Sequence, residues 1–396
     1  MTTSTRYRPA NAPPAVADSV ELAAGASIGR LRKATFTAVS VALFTIVMLL
    51  VGEATVRLRA WVRYGSAEPD AMDQMAAIDP STGLNVPRPG YQRQSRRISI
   101  RINSLGFRGD DFAVEKPART IRIATLGAST TFCAEVSSDA ATWPHRMQEA
   151  LQRAHPEISI QVINAGVPGY IASDSLKNLQ LRVLPLDPDL VIYYEANNDL
   201  AVDTRRLARS RGLIPASDAG VSQMLARHSL LFDLVRKNSR IWIAGRTDWV
   251  GKLDSLPQDL PQKFIGMLAD IRHELDRRGI GMVTSTFFVK YRRNQPADVQ
   301  QHNASGVFYY MPWMTLNGLL DGIDMYNDAI VDFSQARSIP VIDDRDSITG
   351  DDEHFADWIH FSDAGAAAMG ERVARFLDAQ DLLRPAIAKA LQKAGR

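Results

Sequence analysis

An α/β fold on a five-stranded, mostly parallel sheet is the architecture this chain predicts, and three observations predict it. Short β-branched, apolar runs recur after residue 119, each about the length of a buried strand. Between them apolar residues fall at helical spacing, so strand and helix alternate as βαβ units do. Three of the runs lead directly into turns containing Gly or Asn, the residues that reverse a chain at a sheet edge.

Taken in order, residues 1–33 are rich in Ala, Pro, Ser and Thr and read as a disordered tail. Residues 34–52 carry no charge and include Val39-Ser-Val-Ala-Leu-Phe-Thr-Ile-Val-Met-Leu-Leu-Val51. That approaches the roughly 20 apolar residues a helix needs to cross hydrocarbon. No amphipathic face argues for a core helix, and the stretch exceeds the about 7–15 residues of a signal-peptide core. An uncleaved, single-pass transmembrane anchor is expected. Arg30, Arg32 and Lys33 on one side balance Arg57, Arg59 and Arg63 on the other, so charge does not orient it.

Residues 53–102 read as a juxtamembrane approach, loop-rich over 65–90, with a half-exposed strand at 96–103 where polar and apolar residues alternate. The main domain is expected over 103–380. Its strands are 121–126, 158–163, 190–194, 281–288 and 339–342; its helices are 143–154, one from about 173, 263–278, 316–336 and 363–377. Residues 203–262 interrupt the rhythm as a helical insertion, with a helical piece at 224–235, and suit either a lid or a packing appendage. Residues 381–396 form a basic helix. The pattern is that of a doubly wound, flavodoxin-like three-layer sandwich.

Of 396 residues, 45% are hydrophobic and 23% charged, as in a folded globular protein, and the net charge of +2 without a long basic block gives no sign of nucleic-acid binding. Cys133 is the sole cysteine, which excludes an internal disulfide or a multi-cysteine metal site.

Chemistry concentrates at the strand ends. The run Ile121-Arg-Ile-Ala-Thr-Leu-Gly-Ala-Ser-Thr-Thr131 delivers a hydroxyl, Ser129, just past a strand. By itself such a serine is more often a structural helix cap than a nucleophile, and Thr131 departs from the Gly-x-Ser-x-Gly elbow. Far downstream, Asp357-Trp-Ile-His360 supplies a carboxylate spaced to hold one ring nitrogen while the other faces a nucleophile. Asp351-Asp-Glu-His354 has the same spacing, but Ser362 or Asp363 would cap the helix after His360 and fix its loop. Gly169, in the turn Asn164-Ala-Gly-Val-Pro-Gly169, can present an unobstructed N–H, and Asn198, in Ala196-Asn-Asn-Asp199, can present a side-chain amide. In one parallel sheet these ends converge on one crevice, with parts for nucleophilic acyl transfer and its oxyanion.

Together the four pieces resemble the SGNH (GDSL-type) serine hydrolases over about residues 103–377. The lead-in Asn103-Ser-Leu-Gly-Phe-Arg-Gly109 is similar to that of membrane-anchored members. The resemblance implies a carboxylic-ester hydrolase with Ser129, His360 and Asp357 as catalytic residues and Ser129, Gly169 and Asn198 as the oxyanion hole. It implies no metal or organic cofactor, an ester or acylated-glycan substrate, and a domain outside the cytoplasm. Two positions depart from the family pattern: Ala128 stands for the usual Asp, and Ala196 for a Gly, where a side chain is expected to crowd the pocket. An O-acetyltransferase or deacetylase of surface polysaccharide would use the same residues; a non-catalytic glycan-binding scaffold is a further alternative, against which the intact Ser129, His360 and Asp357 argue.

Overall fold

The computed structural model describes residues 15–64, 75–214, 225, 226, 228–244 and 251–394. Contacts divide the chain into two units, Met1–Val56 and Arg57–Arg396. A helix, α1 (Ala15–Tyr64), accounts for the described part of the first and opens the second. Among the described residues, Arg32–Val62 is the one stretch long and apolar enough, by length and composition, to cross a membrane. Its large apolar side chains, from Phe36 to Val51, are exposed. The tail expected to lack structure is helical from Ala15 onward, where Ala15, Ala17, Ala23, Ala24 and Ala26 supply strong helix formers. Residues 1–14 lie outside the described part.

Two antiparallel pairs precede the sheet: β1 (Ala76–Ile78) with β2 (Asn85–Pro87), and β3 (Gln92–Gln94) with β4 (Ser99–Arg101). The strand expected over 96–103 is β4, shortened to the length its three-residue partner can pair. Its alternation is retained: Ile98, Ile100 and Ile102 are buried while Arg97 and Arg101 are exposed. These isoleucines and Met75 pack against Phe132, so the hairpins belong to the same packed body as the domain expected to begin at 103.

The main sheet has five parallel strands: β5 (Thr120–Gly127), β6 (Ser159–Gly166), β7 (Leu190–Tyr194), β8 (Gly281–Ser285) and β9 (Val341–Ile342), in the order β6-β5-β7-β8-β9. Every residue of β5 and β7 is buried, as central parallel strands covered on both faces must be. Counted from β5, the order is 2-1-3-4-5, the flavodoxin-like winding. Its connections leave neighbouring strands in opposite directions at one point, and a crevice opens at their carboxyl ends. Here that point lies between β5 and β7, whose last residues, Gly127 and Tyr194, are paired in register.

The helices are α2 (Ser129–Phe132), α3 (Trp143–Ala154), α4 (Ala172–Asn178), α5 (Asn197–Ser210), α6 (Leu230–Ala244), α7 (Gln262–Asp276), α8 (Ala297–Ala304), α9 (Val307–Tyr310), α10 (Leu316–Ala336), α11 (Asp363–Ala379) and α12 (Arg384–Ala394). Helix α3 packs on α11, α4 on α7, and α5 on α10. Thr142 caps α3 by accepting the His145 N–H at 3.4 Å, and Trp143, Met147 and Leu151 recur every four residues to bury one stripe.

Three expectations shift. Strand β8 stops at Ser285, short of 288, because Asn327 Oδ1 takes the Phe287 N–H at 2.6 Å and the Tyr194 hydroxyl takes the Phe288 N–H at 3.3 Å. The apolar run continues as core without a ladder. Edge strand β9 begins at Val341 and pairs only with Thr284 and Ser285. The insertion expected from 203 begins inside α5, which starts at Asn197 directly after β7, so residues 203–210 belong to a sheet-covering helix. The helix expected at 224–235 falls partly outside the described residues; the described one is α6. The expected C-terminal basic helix is α12, with Ile387 and Leu391 packed on the core.

Candidate active site

At the switch point, the chain leaves β5 through Gly127 and Ala128 and enters α2 with Ser129 as its first residue. The turn is held from both sides. The Thr131 hydroxyl donates to the Tyr194 carbonyl at 2.9 Å, tying it to the end of β7. The buried Arg108 guanidinium donates to the Phe132 and Cys133 carbonyls at the other end of α2 and to Asp139 Oδ1 at 2.8 Å. A charged donor on carbonyls that a helix leaves unpaired is a strong bond, and here it fixes the short helix under Ser129. Cys133 follows in left-handed conformation, and burial pushes its thiol up to about 12, so it is an inert packing residue.

The His360 loop comes from the opposite end of the chain. Asp357 Oδ1 accepts the N–H groups of Ile359 and His360, each at 2.8 Å, and folds Asp357–His360 into a four-residue turn. Asp357 Oδ2 lies 2.8 Å from His360 Nδ1, and His360 Nε2 lies 2.8 Å from Ser129 Oγ. Ser362 caps α11 by accepting the Gly365 N–H at 3.2 Å, which anchors the loop. Asp363 instead accepts the N–H of Ser137 at 2.7 Å and its hydroxyl, drawing the segment after α2 toward the loop. His354 repeats the carboxylate contact, its Nδ1 lying 2.8 Å from Asp351 Oδ1, but among the described residues no hydrogen bond joins its ring to a serine.

Burial favours the neutral imidazole, but the Asp357 charge and hydrogen bond, with Glu135 acting in the same sense, outweigh it and hold the His360 pKa above the ordinary 6.5. Burial alone would raise Asp357; the imidazole and the two N–H groups hold it below the usual carboxylate value. The arrangement therefore favours an Asp carboxylate beside a histidine ready to accept a proton.

Gly169 adopts φ +83°, the left-handed region that glycine enters without strain. Neither its N–H nor that of Ser129 meets an acceptor among the described residues. The Asn198 amide donates one N–H to the Tyr170 carbonyl at 2.8 Å, which joins the turn after β6 to the start of α5 and leaves the second amide proton uncommitted. Ala196 is wholly buried in the core, so its methyl does not crowd the crevice.

Two buried carboxyls brace these donors. Glu195 Oε1 accepts the Asn198 N–H at 2.7 Å, serving the α5 N-terminus that Ala196 cannot cap. Asp199 Oδ2 accepts the Ala172 N–H at 2.9 Å and ties α5 to α4. Burial, with the neighbouring Asp199 charge, pushes Glu195 up to about 8; burial and the nearby Asp203 and Asp174 push Asp199 up to about 7. Nothing in the sequence pattern marks Glu195; Arg108 lies in the Asn103–Gly109 lead-in, where a lone arginine is the available signal. Among the described residues no group of His, Cys, Asp and Glu is arranged to hold a metal ion.

The GDSL-like lipase/acylhydrolase family model matches residues 125–368, more than half of the chain. The chain belongs to that family and is an ester-hydrolysing enzyme. No curated protein matches it. Among solved structures, a lipase/acylhydrolase from Enterococcus faecalis is 18% identical, with 66% of this chain and 96% of that one covered at a TM-score of 0.39. A catalytic mutant of an acetylxylan esterase from Geobacillus stearothermophilus is 14% identical, with 65% and 94% covered at a TM-score of 0.40.

Proposed function

We propose that the chain is a membrane-anchored serine esterase that hydrolyses a carboxylic ester through Ser129, His360 and Asp357. One observation carries the reading: Ser129 Oγ, His360 and Asp357 form an unbroken hydrogen-bonded chain, 2.8 Å at each link, at the crevice where β5 and β7 part. His360 Nε2 takes the hydroxyl proton as Ser129 Oγ attacks the acyl carbon. Asp357 keeps the other ring proton on Nδ1 and stabilises the imidazolium. The negative charge on the former carbonyl oxygen meets the N–H groups of Ser129 and Gly169 and the free amide proton of Asn198. The imidazolium then returns its proton to the leaving alcohol. Water, deprotonated by the same ring, releases the acid and frees the serine.

The helix over Arg32–Val62 supports a single-pass anchor, and the resemblance to envelope-anchored members supports a domain on the extracytoplasmic side. Alkaline phosphatase fused after Arg396 would be active on that side and silent on the other.

The chemistry is tested with the full chain in detergent, by p-nitrophenol release from p-nitrophenyl acetate and by labelling with a fluorophosphonate. Ser129→Ala is expected to abolish labelling and lower turnover on the order of 10⁴-fold or more. Turnover equal to the unaltered chain would overturn the assignment.

A further inference from the structure

Helix α6 presents the domain with its charged side. The Arg236 guanidinium donates to Asp233 Oδ1 at 2.7 Å and to the hydroxyl of Tyr309, on α9, at 2.9 Å. The Lys237 ammonium lies 5.5 Å from the centre of that tyrosine ring. Asp233, Arg236 and Lys237 share one side of the helix, and Leu231 and Val235 stand opposite them. Val235 is 58% exposed, and Leu225, just upstream, is 44% exposed. Leu230, Leu231, Phe232 and Leu234 are only half-buried, so no large apolar side chain of residues 230–239 enters the core. A helix packed on a domain in water has its two sides the other way round; this one suits an outer side that meets hydrocarbon.

The same segment is tied to α1. Arg57 donates to the His228 carbonyl at 3.1 Å, two positions before α6 begins. Arg57 is five positions past Gly52, where the uncharged stretch ends, and chain length alone keeps it within about 18 Å of that end. Leu58 and Trp61 follow, both exposed, with Arg59 exposed between them. Tryptophan, arginine and aliphatic side chains together are the mixture that a membrane–water boundary accommodates.

We infer that α6 and residues 57–62 dock on the surface of the bilayer that the anchor enters, with Leu231, Val235, Leu58 and Trp61 among the headgroups and upper acyl chains; this rests on the membrane-anchored reading above. Lipid covers apolar side chains that water leaves unfavourably exposed, and it needs no second protein to do so. Arg57 and Arg59 add attraction to anionic headgroups. The docked helix is also joined to the candidate site. Its partner Tyr309 is followed by Tyr310, whose ring centre lies 5.8 Å from that of Trp358, in the loop that carries Asp357 and His360. Docking thereby sets how high the crevice stands above the membrane.

Cys133 is the sole cysteine and is buried, so a cysteine placed on the surface can be labelled selectively. The full chain carrying Val235→Cys, Val114→Cys or Ile46→Cys is labelled with a nitrobenzoxadiazole fluorophore. Each is placed in nanodiscs of phosphatidylcholine and phosphatidylglycerol, both faces of which meet solvent. Val114 is the comparison site, 56% exposed before β5, and Ile46 reports the anchor. All three substitutions fall on exposed side chains, and circular dichroism checks that each labelled chain folds as the unaltered one does. Reduction by dithionite is expected to be about tenfold slower at Val235 than at Val114, the factor that burying one such side chain supplies. Lipids brominated along their acyl chains should quench the label at Val235 and not at Val114. If Ile46 is shielded while Val235 is reduced as fast as Val114, the docking fails and the anchor stands. If Ile46 too is reduced as fast as Val114, the anchor reading fails and the docking with it. Shielding at Val235 without quenching by brominated lipid means that protein covers α6, which also overturns the docking.

Discussion

Replacing Asp357 by Asn separates the orienting role proposed for this residue from its bulk. The Asn Oδ1 can still accept the Ile359 and His360 N–H groups, both now at 2.8 Å, so the turn is retained. Where Oδ2 stood, an amide N–H would face His360 Nδ1. That nitrogen must then act as acceptor, which moves the ring proton to Nε2, the atom 2.8 Å from Ser129 Oγ and the one required to be bare. Restoring the working tautomer breaks that hydrogen bond, at about 1 kcal/mol. The imidazolium formed during attack also loses a neighbouring charge, worth about 4 kcal/mol near a protein surface. The Asp357 side chain is 38% exposed, so solvent screens the charge term, and about half of it is expected to survive. The barrier should rise by about 3 kcal/mol and kcat fall by about two decades. The pH profile adds a second readout. The base works neutral, so activity is lost as pH falls through the His360 pKa, and the raised value places that limb above 6.5 in the unaltered chain. In Asp357→Asn the raising charge is gone while burial remains, so the limb shifts to lower pH. p-Nitrophenyl acetate hydrolysis between pH 5 and 9 measures both effects. A kcat within tenfold of the original, with an unmoved limb, would refute the argument and direct attention to Asp351 and His354.

Two further outcomes follow from the same geometry. Asn198→Ala removes the amide donor, and kcat for p-nitrophenyl acetate is expected to fall about 10²–10³-fold with KM little changed; a loss confined to KM would count against an oxyanion role. Glu195 is held protonated when folded, with a pKa of about 8 against an ordinary 4.5, so its contribution is full below the ordinary value and lost as pH rises through about 8. Stability should decline over that window by up to about 1.4 kcal/mol per pH unit for one such proton. Glu195→Gln, which cannot ionise, should show a shallower decline in urea midpoint between pH 5 and 8; parallel curves would refute the cause.

The sheet was legible because parallel strands buried on both faces read as apolar, β-branched runs: β7 is one throughout, β5 is one but for Arg122 and its threonines, and edge strand β6 keeps Ile160, Val162 and Ile163 in such a run. Their ends were legible to within a few residues. The end of β8 was not, since Phe287 and Phe288 are as apolar as any strand residue and only Asn327 and the Tyr194 hydroxyl, far away in sequence, divert their N–H groups. The start of α5 was missed because Glu195, not Ala196, serves its first turn, an arrangement no cap rule marks. Of the site, each member lies just past a strand or just before a helix, where turn chemistry shows in the residue types. The supports are different. Arg108 meets Cys133, and Tyr310 meets Trp358, through side chains on segments related by no periodicity, and only the folded chain brings them together.

The hydrogen bond between Ser129 and His360 closes a span of 231 positions, and the order of synthesis gives that span a meaning. A growing chain exposes the candidate nucleophile early, with the α1 helix already made, and holds it without its partner base until almost all the remaining sheet has been translated. If Ser129 is the nucleophile proposed above, it lacks its base throughout that interval, and attack on an ester would wait until the His360 loop and α11, which packs on α3, have been made.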